Sequence, residues 1–469
     1  MGELKIDYTL ERHLSEFVKM DGNLEVLETS YKNNKSKLKK MLGSILINYP
    51  HYSTHDSVHA ETIISSIELF LGEERIKQLN ACDTWMLLHS AYVHDLGMIV
   101  SDRRVRKVWE TDEFQKFINS CAQSSSPGIS VNAKIIKSFS KCDTKDLYNS
   151  LNKSSFPLDV KKAITVIVAE FFRARHHISS SSILRNEEEL NLDLTNGNDV
   201  PLNWQGFLSE ISKLHGMPFE DILELPHKSN GINSQHIHPR FAAAMLRIGD
   251  LLDMQAGRFD NTAISVFGML ERESLGHYFK HKFIKHVYID ENSIEATSDV
   301  LFEDIKQELE IMREKGDEVS GDSREIAFET LKATRDWFNW IEEEMANLFN
   351  HWTDIVPEKF IMTKPKTNLR IKVDGKDTVY SDKNLRLTFD RNKTFDLIQG
   401  INIYNDKHIF VRELIQNSLD ALKLQFWRDI QKGVYDSQID ESHQGDISKI
   451  TPFSFNDSSI YYNYNVEIT

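Results

Sequence analysis

Cysteine is scarce in this chain: the 469 residues include three, Cys82, Cys121 and Cys142, and no two have CxxC spacing. This excludes a zinc knuckle and a disulfide framework, and it favours a reducing compartment. There is also no run of eighteen apolar residues, and the first residues lack the apolar stretch of a signal peptide. These absences predict a cytoplasmic protein that does not enter a membrane.

Positive charge is in short supply as well, since 56 Lys and Arg face 71 Asp and Glu, a formal net charge of −15. That balance argues against bulk electrostatic binding of nucleic acid or anionic lipid, although it leaves room for a local basic channel. A polyanionic substrate would need a metal ion or a local Arg/Lys cluster. The composition is otherwise ordinary for a globular protein, and the length predicts roughly two to four domains.

A histidine and an aspartate lie at the end of a strongly apolar segment. Apolar residues recur at helical spacing through Thr84 to Leu96, which predicts a buried helix that carries His94 and Asp95 into the interior. Burying a carboxylate without a partner is costly. Either hydrogen bonds or a bound cation must offset that cost.

Two further polar residues occupy positions where an apolar residue is expected. His59 lies on the inward face of a predicted helix, and Asp250 interrupts the apolar helix predicted for Phe241 to Met254. A hydrogen-bonded core histidine and a salt bridge from Asp250 to Arg247 would explain each residue separately. A metal ion explains both residues together with the His-Asp pair.

The order of these residues, H then HD then D, resembles the HD superfamily of metal-dependent phosphohydrolases. The local sequences agree: HAETI begins at His59, AYVHDLGM contains His94-Asp95, and LRIGDLLD contains Asp250. The resemblance covers about residues 45–260, and the wider pattern is similar to the variant fused to chaperone-type ATPases. It implies a helical domain that binds one divalent cation, Mn, Fe, Co, Ni, Zn or Mg, through His59, His94, Asp95 and Asp250.

The resemblance also implies a chemistry, in which the metal polarises a phosphoryl oxygen and lowers the pKa of a bound water at the centre formed by His94 and Asp95. Some members hold a second metal through extra histidines, and His176 or His177, with His215, occupy suitable positions here. Side chains that we expect to contact the substrate phosphate are His55, Arg173, Arg175 and Arg247. The alternatives are a helix cap for His55, a solvated basic helix end for Arg173 and Arg175, and a buried polar network for the whole set.

A second motif lies near the carboxyl end, where Glu413, Asn417 and Asp420 share one face of a predicted helix. The segment RELIQNSLDA resembles the N-box of the GHKL ATPases, the group of gyrase and the 90-kDa heat-shock chaperone. By position, Glu413 would orient or deprotonate the attacking water, Asn417 would bind Mg, and Asp420 would support them. No Asp-x-Gly-x-Gly segment follows, so we expect Mg-ATP to bind only if a longer protein or a separate chain supplies the missing half.

The predicted fold is mainly α: a helical scaffold (1–48), an HD-type domain (49–280), a mixed α/β linker region (281–365) and the incomplete start of a GHKL α/β sandwich (366–469). The predicted function is metal-dependent hydrolysis of a nucleotide or nucleic-acid phosphoester, regulated by the adjoining ATPase segment. The alternative is a sensor or interaction module that binds a nucleotide without turnover and signals to a chaperone-type ATPase. Homo-oligomerisation stays open.

Overall fold

The computed structural model describes residues 8–45, 49, 56–124, 127–139, 158–186, 190, 192–195, 199–254, 269–270, 272–314, 318–319, 321–377 and 409–435. The chain divides into two compact units, Met1–Lys383 and Asn384–Thr469. All residues predicted for the HD-type site belong to the first unit. The predicted fold class is confirmed, because the described chain is mainly helical with small sheets.

The described residues of the first unit form helices α1 to α16. Their bounds are α1 Leu10–Met20, α2 Glu25–Leu42, α3 Ser57–Leu71, α4 Glu73–Ile76, α5 Ala81–Val93, α6 Asp102–Trp109, α7 Asp112–Cys121, α8 Pro127–Phe139, α9 Leu158–Arg173, α10 His176–Leu184, α11 Asn203–Leu214, α12 Pro239–Leu251, α13 Arg272–Lys282, α14 Phe302–Glu314, α15 Ser323–Asn350 and α16 Trp352–Ile355. Short 3₁₀ turns occur at Gly22–Leu24, Leu96–Met98 and Phe219–Glu224. Among the described residues, no helix combines the length and the apolar character that a bilayer crossing requires.

Local sequence signals set the ends of the helices that build the site. Asp56 caps α3 by accepting from the backbone N–H groups of Val58 and His59, which fixes His59 in the first turn. Asn80 caps α5 through the N–H of Asp83. Proline is the first residue of α12, where its missing N–H leaves no helical bond unmade.

One large core joins these helices. Its members include the fully buried Trp85 and Leu88 of α5 and nearly the whole of α12. The helices α3 and α12 approach closely at Gly249, where a Cβ would lie 2.7 Å from Ile67 Cγ1 and 3.1 Å from the Ile63 carbonyl oxygen. The absence of a side chain at Gly249 therefore brings the neighbouring Asp250 near the start of α3.

The strands in the described part of the chain form three small sheets. Their bounds are β1 Ser229–Asn230, β2 His236–Ile237, β3 Met269–Leu270, β4 Ile284–Ile289, β5 Ser293–Val300, β6 Glu318–Val319, β7 Lys366–Val373 and β8 Lys376–Asp377. The largest sheet has the order β4-β5-β7-β8, with β5 and β7 parallel and the other pairs antiparallel; β1 pairs with β2, and β3 with β6. A parallel pair needs a long crossover connection, and here it contains α14, α15 and α16.

Several predicted elements match the observed ones closely. The sequence pattern predicts a buried helix from Val160 to Phe172, which is α9, and the helix predicted for Phe241 to Met254 begins and ends slightly earlier, as α12. The sequence also predicts two short strands joined through Asp374-Gly375, and these residues form that turn, with φ values of 49° and 76°, directly before β8. The sequence pattern further predicts strand at 378–380 and 385–389, which lie outside the described residues.

In the second unit, the structure describes a single helix, α17 Ile409–Gln431, and the turn that follows it. The helix predicted for the N-box is therefore present. Two of the predicted N-box side chains, Asn417 and Asp420, are exposed on it. The side chain of Glu413 lies outside the described residues.

Candidate metal centre

The structure brings the four predicted HD residues together. His59 comes from the first turn of α3, His94 and Asp95 follow the last residue of α5, and Asp250 lies near the end of α12. His59 Nε2 is 3.3 Å from Asp250 Oδ1 and 3.6 Å from Asp95 Oδ2. One ligand atom from each of His59, His94 and Asp250 falls within 4.8 Å of the others, which is close enough for a shared cation.

A second group lies on the other side of Asp95 and contains Asp95, His176 and His215, also within 4.8 Å of one another. Asp95 Oδ2 is 3.1 Å from His94 Nε2, whereas Asp95 Oδ1 is 3.5 Å from His176 Nε2. The two oxygens of this buried carboxylate thus face different groups. Asp95 would offer an oxygen to each group if both held a cation.

The hydrogen bonds of the imidazoles fix which ring nitrogen is available. The Nδ1 atoms of His94, His176 and His215 lie within hydrogen-bond distance of the carbonyls of Ala91, Arg173 and Ser212. A carbonyl oxygen only accepts, so each Nδ1 carries the proton and donates it. In the neutral rings, each Nε2 therefore presents a lone pair to the centre, which is the form that binds a metal.

The fourth imidazole is held by a carboxylate instead of a carbonyl. His59 Nδ1 lies 2.7 Å from Asp253 Oδ2, and both side chains are buried. This carboxylate–histidine pair orients the ring and raises the basicity of Nε2, as carboxylates behind metal-bound histidines do. His94 Nε2 is buried and makes no hydrogen bond within the described part of the chain.

His176 Nε2 lies 2.8 Å from His215 Nε2. Because both Nδ1 atoms donate their protons to carbonyls, both Nε2 atoms of the neutral rings carry lone pairs, and these lone pairs would repel at this distance. A cation or an additional proton must therefore lie between the two nitrogens. Burial lowers the pKa of His215 well below its ordinary value. A metal ion would engage both Nε2 lone pairs at once.

The acids at the centre add negative charge that this arrangement must balance. Asp95 and Asp253 are buried, and Asp250 lies at the edge. Two carboxylates, Asp95 and Asp250, together with four imidazoles form a donor set of oxygen and nitrogen that suits divalent transition metals.

Comparison with known proteins identifies the family of this chain. The HD-CE family model matches residues 49–347, which is more than half of the sequence. The chain belongs to the HD-CE family. The match contains every candidate ligand of both groups, and it continues through α13 and most of α15. Searches of curated proteins and of solved structures gave no match.

In this HD-CE domain, Ser180 and Gly97 join the two groups. The Ser180 hydroxyl donates to the His94 carbonyl and accepts from the Gly97 N–H at 2.7 Å. The backbones touch at the same point, because a Cβ on Gly97 would lie 2.0 Å from the His176 carbonyl oxygen and 2.7 Å from the Ser180 nitrogen. The glycine after the HD pair thus allows α10, and His176 with it, to approach Asp95.

We expect Gly97→Ala to destabilise the protein by about 1–3 kcal/mol or more, because the atoms that a methyl group would meet are backbone atoms that cannot rotate away. Gly206→Ala, in the middle of α11, is the matched control, since no described atom lies within 4 Å of its added Cβ and alanine favours a helix by ~1 kcal/mol. Denaturant unfolding measures both variants. Equal stability of Gly97→Ala and the wild type would contradict the close packing.

The structure separates the two adjacent histidines that the sequence left as alternatives. His176 belongs to the second group, whereas the His177 ring centroid lies 6.2 Å from that of His215 and its ring packs over Gly216. Burial, followed by the charges of His176 and Lys213, lowers the pKa of His177 to about 4. Consecutive helix residues point in directions about 100° apart, so only one of them faces Asp95.

The predicted phosphate contacts are engaged with other groups. Arg173 is half exposed and pairs with Glu170, and Arg175 donates to Glu113 while it lies over the Phe171 ring. Arg247 is buried, pairs with Glu344, and donates to the carbonyls of Leu214 and Met217. A phosphate would have to displace these partners. His55 lies outside the described residues.

Residues that the sequence did not single out complete the centre. Asp253, on the same predicted helix as Asp250, holds the ring of His59. Its position three residues after Asp250 was the available signal, since residues so spaced share a helix face. For Ser180 the sequence contained no such signal. It lies in a run of serines, and nothing in that run indicates a contact with a segment more than eighty residues away.

Proposed function

We propose that this HD-CE protein is a metal-dependent phosphohydrolase that cleaves a phosphoester of a nucleotide or nucleic acid. The observation that carries the proposal is the placement of Asp95 between two groups of inward-facing imidazole nitrogens. Neutral imidazoles with their protons tied to carbonyls, together with buried carboxylates, fit a cation better than a structural hydrogen-bond network. In such a network, ring nitrogens would pair with donors.

The residues of the chain have distinct parts in this proposal. His59, His94, Asp95 and Asp250 would hold the first metal ion, and Asp95, His176 and His215 a second. Bound divalent metal supplies polarisation of the phosphoryl oxygen and a water of lowered pKa. Asp253 and the helix-end carbonyls keep the imidazoles in the orientation that leaves Nε2 available.

The second metal site has its own support. The contact between His176 Nε2 and His215 Nε2, with both Nδ1 atoms facing carbonyls, places two acceptors at a distance that only a shared cation or proton relieves. Metal analysis of protein purified with Mn²⁺ should give close to two ions per chain. One metal ion per chain, in both the wild type and His215→Ala, would contradict the second site and leave the first site standing.

The activity is tested with purified protein and a panel of nucleotides, cyclic nucleotides and short oligonucleotides, with Mn²⁺, Mg²⁺, Fe²⁺, Co²⁺, Ni²⁺ and Zn²⁺ supplied separately. We expect at least one member to release phosphate, a nucleoside or a shorter product, a chelator to stop the reaction, and the metal to restore it. No product from any combination would contradict the phosphohydrolase. Tight nucleotide binding without product would indicate the sensor alternative instead.

We further infer that α17 corresponds to the N-box of a GHKL ATPase and that this segment regulates the phosphohydrolase. The support is the sequence resemblance and a helix where the motif requires one; the family match ends before it, at residue 347. No Asp-x-Gly-x-Gly segment follows α17 in this sequence, so we expect no ATP hydrolysis at this helix. An ATPase assay on the Asp95→Asn variant checks this, because any ADP formed there could not come from the metal centre.

A further inference from the structure

A cavity of about 380 Å³ opens directly beside the metal centre, within the size range of small-molecule sites. Asp250 and Leu251 form its inner wall, and the other walls are one face of α13 and one stripe of α15. The indole N–H of Trp337 donates to the Leu251 carbonyl at 3.0 Å, which ties α15 to the residue after Asp250. The cavity is therefore fixed relative to a candidate metal ligand.

Cations converge on this cavity in a protein whose net charge is strongly negative. Lys280 and Lys332 line it, and Lys280 Nζ lies 4.1 Å from the centroid of the Trp337 ring. Lys332 also lies 3.8 Å from a carboxylate oxygen of Glu329. The two lysines lie on the walls formed by α13 and α15, and there they can attract an anion.

An aromatic surface lies on the same cavity. Trp340, one turn beyond Trp337 on α15, lines it with half of its side chain exposed. A tryptophan on a helix can pack into the core, as Trp337 does, yet this one presents its ring to the cavity. Two carboxylates in the lining, Glu329 and Asp336, are acceptors that suit sugar hydroxyl groups.

We propose that the cavity between α13 and α15 binds a nucleoside phosphate, with the base stacked on Trp340 and phosphate oxygens near Lys280 and Lys332. The ligand chemistry follows from three features that meet in one space: a half-exposed indole, carboxylate acceptors and converging cations. This inference rests on the proposed function, because it places the substrate of the metal centre. It goes further by assigning recognition of the base to α15.

The test compares Trp340→Ala with Phe328→Ala, its matched control. Phe328 is an aromatic residue of the same helix, 62% exposed, and it does not line the cavity. The probes are the ribo- and deoxyribonucleoside monophosphates and triphosphates, and ribose 5-phosphate as a ligand without a base, all with the metal-loaded protein. A nucleotide that is turned over is characterised by kcat/KM, and one that is not by a calorimetric Kd.

We expect Trp340→Ala to weaken recognition of nucleotides about tenfold, as loss of one base–aromatic stack does, and Trp340→Phe to restore most of it. Ribose 5-phosphate should show no dependence on Trp340, and Phe328→Ala should behave as the wild type. Lys332→Met should weaken every phosphorylated probe, with or without a base.

The outcomes separate this site from the proposed function. Turnover of nucleotides with equal values for Trp340→Ala and Phe328→Ala would overturn the base site and leave the phosphohydrolase. Nucleotide binding that depends on Trp340, without product, would support the base site and contradict the phosphohydrolase. If no nucleotide is bound or turned over, both are overturned.

Discussion

Replacing Asp95 with asparagine should reduce turnover of any substrate of the metal centre by far more than ~100-fold and lower the bound metal. Loss of a group behind a metal ligand already costs about 10–100-fold, and Asp95 faces both candidate groups directly. The amide keeps the size of the side chain but exchanges one carboxylate oxygen for an NH₂ group, which cannot bind a cation. Metal analysis and steady-state kinetics on the same preparation measure the effect.

Two further aspartate variants make the result specific. Asp112→Asn, on an exposed residue in the first turn of α7, should match the wild type in metal content and turnover. Asp253→Asn should lose about 10–100-fold in turnover, which is less than Asp95→Asn and more than Asp112→Asn. The reason is that Asp253 orients His59 without facing the centre itself. Full turnover by Asp95→Asn, at wild-type metal content, would rule out the assigned centre.

The helices of the centre and its four candidate ligands each carry a local signal in the sequence. A polar residue in an apolar helix, such as His94 or Asp250, stands out against the periodicity of its own segment. The helix cap and the hairpin turn also depend on nearby residues. Asp56 accepts hydrogen bonds from backbone N–H groups two and three residues later, and Gly375 lies in the turn between two paired strands. A helix, cap or turn that is determined by residues within one or two helical turns of it can therefore be predicted from the sequence.

What could not be predicted depends on contacts between distant segments. The sequence offered Arg247 as a partner for Asp250 or a phosphate, but Arg247 pairs with Glu344, nearly a hundred residues later. The region predicted as a linker, 281–365, likewise supplies α15, which packs beside the centre and lines the adjoining cavity. No periodicity within α15 could show which of its faces meets α12, because that depends on how both helices dock.

The ion pair between Arg247 and Glu344 leads to the largest expected change in stability. Both side chains are buried, and the same guanidinium donates to the carbonyls of Leu214 and Met217 at 2.7 and 2.6 Å. Arg247→Met leaves the Glu344 carboxylate buried without its partner and the end of α11 without its donor. Breaking a buried pair from one side costs about 3–5 kcal/mol, which denaturant unfolding will measure as a lower midpoint.

The double variant Arg247→Met with Glu344→Leu distinguishes a structural pair from a phosphate contact. Replacing both partners of a buried pair with apolar residues is often neutral, so the double variant should recover most of the lost stability, apart from the bonds to the α11 carbonyls. If Arg247 instead served the substrate, the single variant would keep its stability and raise KM, and the second substitution would restore nothing. Because α11 ends directly before His215, we also expect the single variant to lose metal from the second group before the first, and the double variant to regain part of it.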